Sequence, residues 1–140
     1  MLYLIAWLIS PAERTYYLLS CLDAELWRGG FHTYFHNSSG NHYDVTLKAL
    51  DEVKCPVWKE YLARVGTILF PGGNVPSDTA ERHKILPTWP DDPQMSSLEW
   101  QQRLDQLDSE FKPRLEKLGE VIEAFALAHQ IFPASDEACV

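Results

Sequence analysis

The chain has 140 residues, 46% of them apolar, and carries 20 acidic against 12 basic side chains for a formal charge of -8. A chain of about that length buries roughly two-thirds of its unfolded surface around one core, so no second domain is needed. The acidic balance argues against direct contact with nucleic acid or an anionic membrane, and it makes a basic protein the favoured charge-led partner.

Residues 1–9 are apolar but fall well short of the roughly 20 residues of a membrane span. They also lack a basic flank and a small-residue cleavage site, so they read as a short core-facing helix of a cytoplasmic protein. Cys21, Cys55 and Cys139 form neither a C-x-x-C pair nor an even framework, which fits reduced thiols.

Ser10, Pro11 and Glu13 make a helix-start signal with capping-box spacing, and a helix is predicted over 11–28. Ala12, Tyr16, Leu19, Leu22 and Leu26 supply its apolar side, and Gly29 with Gly30 ends it. Phe31, Tyr34 and Phe35 restart the pattern as a short aromatic helix, and Asn37, Ser38, Ser39 and Gly40 carry the chemistry of a tight corner. Tyr43, Leu47, Leu50 and Val53 mark a third helix.

Pro56 opens a fourth, with Val57, Trp58, Tyr61, Leu62, Val65, Ile68 and Leu69, which stops at Pro71, Gly72 and Gly73. A short helix over 77–86 follows. Three prolines and two acids make 87–93 an irregular surface connection holding Trp89, Asp91 and Asp92. Trp89 either anchors a partner or pins its own loop.

Ser96 and Glu99 repeat the capping-box spacing ahead of a helix with Leu104, Leu107 and Phe111 on one side. Pro113 either kinks this helix or begins the last one, 113–132, whose stripe is Leu115, Leu118, Ile122, Phe125, His129 and Phe132. No alternating β-branched run and no repeat occurs, so the expectation is an all-α, single-domain helical bundle of about six to seven helices over residues 1–133, with 134–140 a flexible tail.

His32 and His36 are four apart and share a helix face, with His42 nearby, but neither H-E-x-x-H nor a Cys/His spacing completes a zinc site. Cys55 precedes Pro56 at a helix start, where the helix dipole would lower its pKa, yet no base is marked for it. Gly72 and Gly73 lack the lysine and hydroxyl residue of a phosphate loop, so they read as a turn. The expectation is a chain with no catalytic residue, no cofactor and no metal. An enzyme built on His32, His36 or Cys55 is the third alternative.

The acids are more informative. Glu116, Glu120 and Glu123 follow an i, i+4, i+7 spacing that turns them away from Leu115, Ile122 and Phe125. Their rise of about 6 Å and then 4.5 Å along the axis is of the order of the phosphate spacing on one DNA strand. Asp91, Asp92, Asp105 and Asp108 extend the candidate partner-binding acidic face. The alternative is a solvated face partly neutralised by Lys112, Arg114 and Lys117.

Leu22-Asp23-Ala24-Glu25, then Gly29-Gly30-Phe31 and Asn37-Ser38-Ser39-Gly40, resemble the signature of the bacterial DNA-mimic protein nineteen family. Pro71-Gly72-Gly73, Val75-Pro76 and Arg82 look like that family's later turn. The resemblance implies an all-helical fold, homodimers and, for the member that names the family, occupation of a transcription factor's DNA-binding surface. Glu25, Gly29, Gly30, Phe31, Asn37, Ser38, Ser39 and Gly40 resemble helix-ending and corner chemistry, a structural role. The leading expectation is a non-enzymatic acidic module that blocks the DNA-binding surface of a basic protein. The alternative is an immunity or antitoxin protein neutralising a cognate toxin.

Overall fold

The computed structural model describes residues 10–86 and 99–131. The expected opening helix, Trp89, Asp91, Asp92, the Ser96 cap, Phe132, Cys139 and the 134–140 tail lie outside the described residues. Among the described residues there are seven α-helices and no strand: α1 Pro11–Gly29, α2 Phe31–His36, α3 Tyr43–Glu52, α4 Pro56–Leu69, α5 Thr79–Ile85, α6 Glu99–Phe111 and α7 Leu115–Ala128. Turns of 3-10 helix cover Ser38–His42, Pro71–Gly73 and Lys112–Arg114. Pro113 therefore sits in a turn between two helices and kinks neither.

The Ser10 hydroxyl oxygen accepts the Glu13 N–H at 3.1 Å, satisfying one of the donors a helix start leaves open. Glu13 turns its carboxylate to the same hydroxyl at 3.0 Å. At the other end of α1, Gly30 has φ +88° and ψ -167°, a conformation that only glycine adopts without strain. Its N–H reaches the carbonyls of Glu25 and Leu26, and its own carbonyl accepts from Tyr34, so one residue ends α1 and starts α2.

Helix α1 is the centre of the bundle and packs on α2, α3 and α7, while α4 bridges α3 and α6. Leu19, Leu22, Leu50, Leu62, Leu107 and Leu118 fill the interior. Aromatic edges join the layers: Phe31 meets Phe111 at 4.9 Å, and Trp58 meets Phe111 at 6.0 Å and Tyr61 at 5.5 Å. Three expected core positions, Val57, Phe125 and His129, are not buried. Val57 is exposed at the first turn of α4, and on α7 it is Ala126 that is buried, with Phe125 at the edge and His129 in water.

A short helix with an arginine was all that 77–86 promised, yet Arg82 is fully buried. Asp78 caps α5 by accepting the Glu81 N–H at 3.1 Å. Arg82 Nε donates to the Phe35 carbonyl at 2.8 Å, Nη2 to Asn37 at 2.8 Å and Nη1 to Pro76 at 3.0 Å. Phe35 and Asn37 stand where α2 ends, and helix ends leave carbonyls short of donors, although the Asn37 carbonyl also takes the Gly40 N–H at 3.1 Å. Gly40 lies against the guanidinium, and a Cβ there would come within 3.0 Å of Arg82 Nε and of the Tyr34 carbonyl.

Charge-assisted bonds to buried carbonyls are worth about 1.5–3 kcal/mol each. Arg82→Met should therefore cost on the order of 3–5 kcal/mol in urea unfolding. Gly40→Ala should cost about 1–3 kcal/mol. The double variant should lose less than the sum, because both changes break one contact. Additive losses would show the two residues to be independent.

Candidate protein-interaction surface

Helix α7 sits on α1 through Leu115, Leu118, Ile122 and Ala126, all buried. At about 100° per residue the same rotation carries Glu116, Glu120 and Glu123 outward, and all three are exposed. Leu127 falls in the same angular sector, between Glu116 and Glu120, and is 62% exposed. The acidic face therefore contains one large apolar side chain.

Two of the three basic residues expected to neutralise this face, Arg114 and Lys117, are turned elsewhere. Arg114 Nη1 donates to the Tyr61 hydroxyl of α4 at 2.8 Å. Arg114 and Lys117 join Lys54 around a cleft of about 370 Å³ walled by Cys55, Val57, Trp58 and Val121. Among the described residues no ion pair reaches Glu116, Glu120 or Glu123. One edge of α7 is acidic and the other basic.

Asp105 and Asp108 belong to α6, which packs on α4, and so they share no helix face with the three glutamates. Asp105 is exposed. Asp108 is half-buried and lines a small cleft of about 130 Å³ with Gly29, His32, Thr33 and Leu104. Burial pushes its carboxyl up to about 6, Lys112 draws it back down, and Asp105 pushes it further up.

The signature residues gather at the α1–α2 corner. Glu25 is buried, and its two carboxylate oxygens take Asn37 Nδ2 at 2.6 Å and Arg28 Nη1 at 3.0 Å. Asn37 thus has its side chain held by α1 and its carbonyl held by Arg82 of α5. The Ser39 hydroxyl donates to the Tyr34 carbonyl at 3.1 Å, and Phe31 and Gly40 are buried. These contacts close a corner. A cleft of about 480 Å³ lies beside it, lined among others by Tyr17, Cys21, Arg28 and His42.

A family model described as DMP19-like protein matches residues 8–129. The chain belongs to that family. No curated protein and no solved structure matches it. In this DMP19-like chain the matched span takes in every helix from α1 to α7, and with them both the corner and the acidic edge of α7.

The remaining candidates are less organised for chemistry. His32 and His36 do share a face, with ring centroids 6.0 Å apart, and His36 stacks on His83 at 4.3 Å. His83 also donates from Nε2 to the His36 carbonyl at 2.6 Å, a partnership that no sequence spacing announces. Among the described residues no group of three or more His, Cys, Asp or Glu is placed to hold a metal ion, and no helix is long and apolar enough to cross a membrane. Cys55 does precede α4, but burial pushes its thiol up, against the expected lowering by the helix dipole. Burial also raises the Cys21 thiol.

Asp108 makes the fold sensitive to pH. Its carboxyl holds a proton more tightly folded than unfolded, so its contribution is present below the ordinary range near 3.8 and is lost as pH rises through about 6. Asp108→Asn should stabilise the protein at pH 7.5 by no more than about 1 kcal/mol, because the group is half in water. The gain should shrink to nothing near pH 4. Thermal melts of both proteins across that range check this, and a constant difference would contradict it.

Proposed function

We propose that this DMP19-like chain is a non-enzymatic binding module whose acidic α7 face occupies the DNA-reading surface of a basic protein. The carrying observation is that Glu116, Glu120 and Glu123 are exposed on one face with no ion pair among the described residues, while Arg114 and Lys117 are turned to the opposite edge. Carboxylates arranged in this way attract a cationic surface, steer its approach and lose affinity as salt screens them. Membership of the DMP19-like family supports the reading. No bond is made or broken, no cofactor is required, and a cytoplasmic setting suits a partner that works on DNA.

The test compares the native chain with Glu116→Gln/Glu120→Gln/Glu123→Gln as immobilised bait for basic proteins from a native lysate. Basic DNA-binding proteins should be retained by the native chain, released by salt, displaced by added duplex DNA, and held at least about tenfold less by the triple variant. Equal retention by both baits would make the stripe a solvated face. A toxin held by both through a high-salt wash would instead favour the immunity reading.

A further inference from the structure

Between α1 and α7 runs a groove of about 300 Å³. Its α7 side is Gly119, Ile122, Glu123, Ala126 and Leu127, and its α1 side is Tyr16, Ser20 and Asp23. Those three α1 residues repeat at helical spacing, and Trp27 continues the strip one turn beyond Asp23. Trp27 at 60% and Leu127 at 62% are the two most exposed large apolar side chains among the described residues. Leu127 lines the groove itself, and an exposed apolar group set in a groove is a feature of interaction sites, whereas scattered ones are ordinary.

The groove is also acidic. Glu123 belongs to it as well as to the outer stripe, and among the described residues no cation lines it. Asp23 Oδ1 is buried without a hydrogen bond and burial pushes the carboxyl's pKa up, so a cation brought beside it would favour its ionised form. From Tyr16 to Trp27 the α1 wall rises about 16 Å, the length of three turns of a second helix.

We infer that the α1–α7 groove docks an amphipathic helix of a partner protein, its apolar side seated between Tyr16, Ile122 and Leu127 and a lysine or arginine beside Asp23 and Glu123. This rests on the reading of the chain as a binder of basic proteins and adds the apolar anchor that charge alone does not supply. Apolar seating gives affinity that survives salt, and the carboxylates select the cation.

Gly119 offers a clean way to fill the groove, because a Cβ built there meets nothing within 4 Å. The probes are three fluorescein-labelled synthetic helical peptides of about three turns. One has leucines on one face and lysines on the other, one has leucines and glutamates, and one has alanines and lysines. Anisotropy titrations use the full chain, Gly119→Trp, Leu127→Lys and Glu116→Gln/Glu120→Gln, each checked for native helicity by circular dichroism. The leucine–lysine peptide should bind the native chain at least about tenfold tighter than either other peptide, and Gly119→Trp and Leu127→Lys should each weaken it by about tenfold or more. The double glutamine variant should change it by less than about threefold.

Undiminished binding by Gly119→Trp and Leu127→Lys would overturn the groove while leaving the acidic-face reading intact. No binding of the leucine–lysine peptide would also overturn it. So would a dimer of the native chain in sedimentation that Gly119→Trp splits, since a second copy would then be the occupant.

Discussion

The guanidinium of Arg82 is where three stretches of chain meet. Its planar fork of donors takes the Phe35, Asn37 and Pro76 carbonyls, which belong to the end of α2, the corner and the approach to α5. The Asn37 carbonyl also takes the Gly40 N–H at 3.1 Å, and leaving buried carbonyls short of a donor costs about 1–3 kcal/mol each. The arginine therefore acts as a cap supplied from elsewhere in the chain. The Glu25–Asn37 bond fixes the other side of the same corner to α1, and α1 in turn seats α7. The orientation of the acidic face is inherited through that chain of contacts.

Periodicity made the helices legible, because 3.6-residue spacing and strong caps act locally: Ser10, Gly30, Pro56 and Pro71 stand within a residue or so of the boundaries they mark. The all-α class followed from the same signals. Positions that depend on packing were less legible. Val57 sits on an apolar stripe yet faces water, and Ala126 is buried in place of Phe125, since the side of α7 that is covered depends on where α1 lies. Asp78 as a cap and Arg82 as a buried hub were not legible at all. An arginine on a short helix looks the same in sequence whether it faces solvent or carbonyls 45 residues away.

The candidate surface shows the same division. The outward direction of Glu116, Glu120 and Glu123 is a property of one helix and could be read from spacing. The placement of Asp108 in a cleft with His32, the turning of Arg114 toward Tyr61, and the joining of Asp23 with Glu123 in one groove each need two helices and their packing. A formal charge of -8 is modest when averaged over the chain, but the fold sorts it, leaving cations along one edge of α7 and anions with exposed apolar groups along the other. For a binding protein the local field counts for more than the sum.

The Arg82 contacts also bear on how the protein is made. Asn37 and Arg82 are 45 residues apart, and ribosomes add about 10 residues per second, so the arginine arrives roughly four to five seconds after the carbonyl it will hold. Until then α1, α2 and the corner have their glycines and their local caps but not the clamp that closes them, and the apolar faces of α1 await partners that are still to be synthesised. The domain is thus a structure whose early half is completed by its middle, and the emerging chain spends that interval with its future core open to the cell.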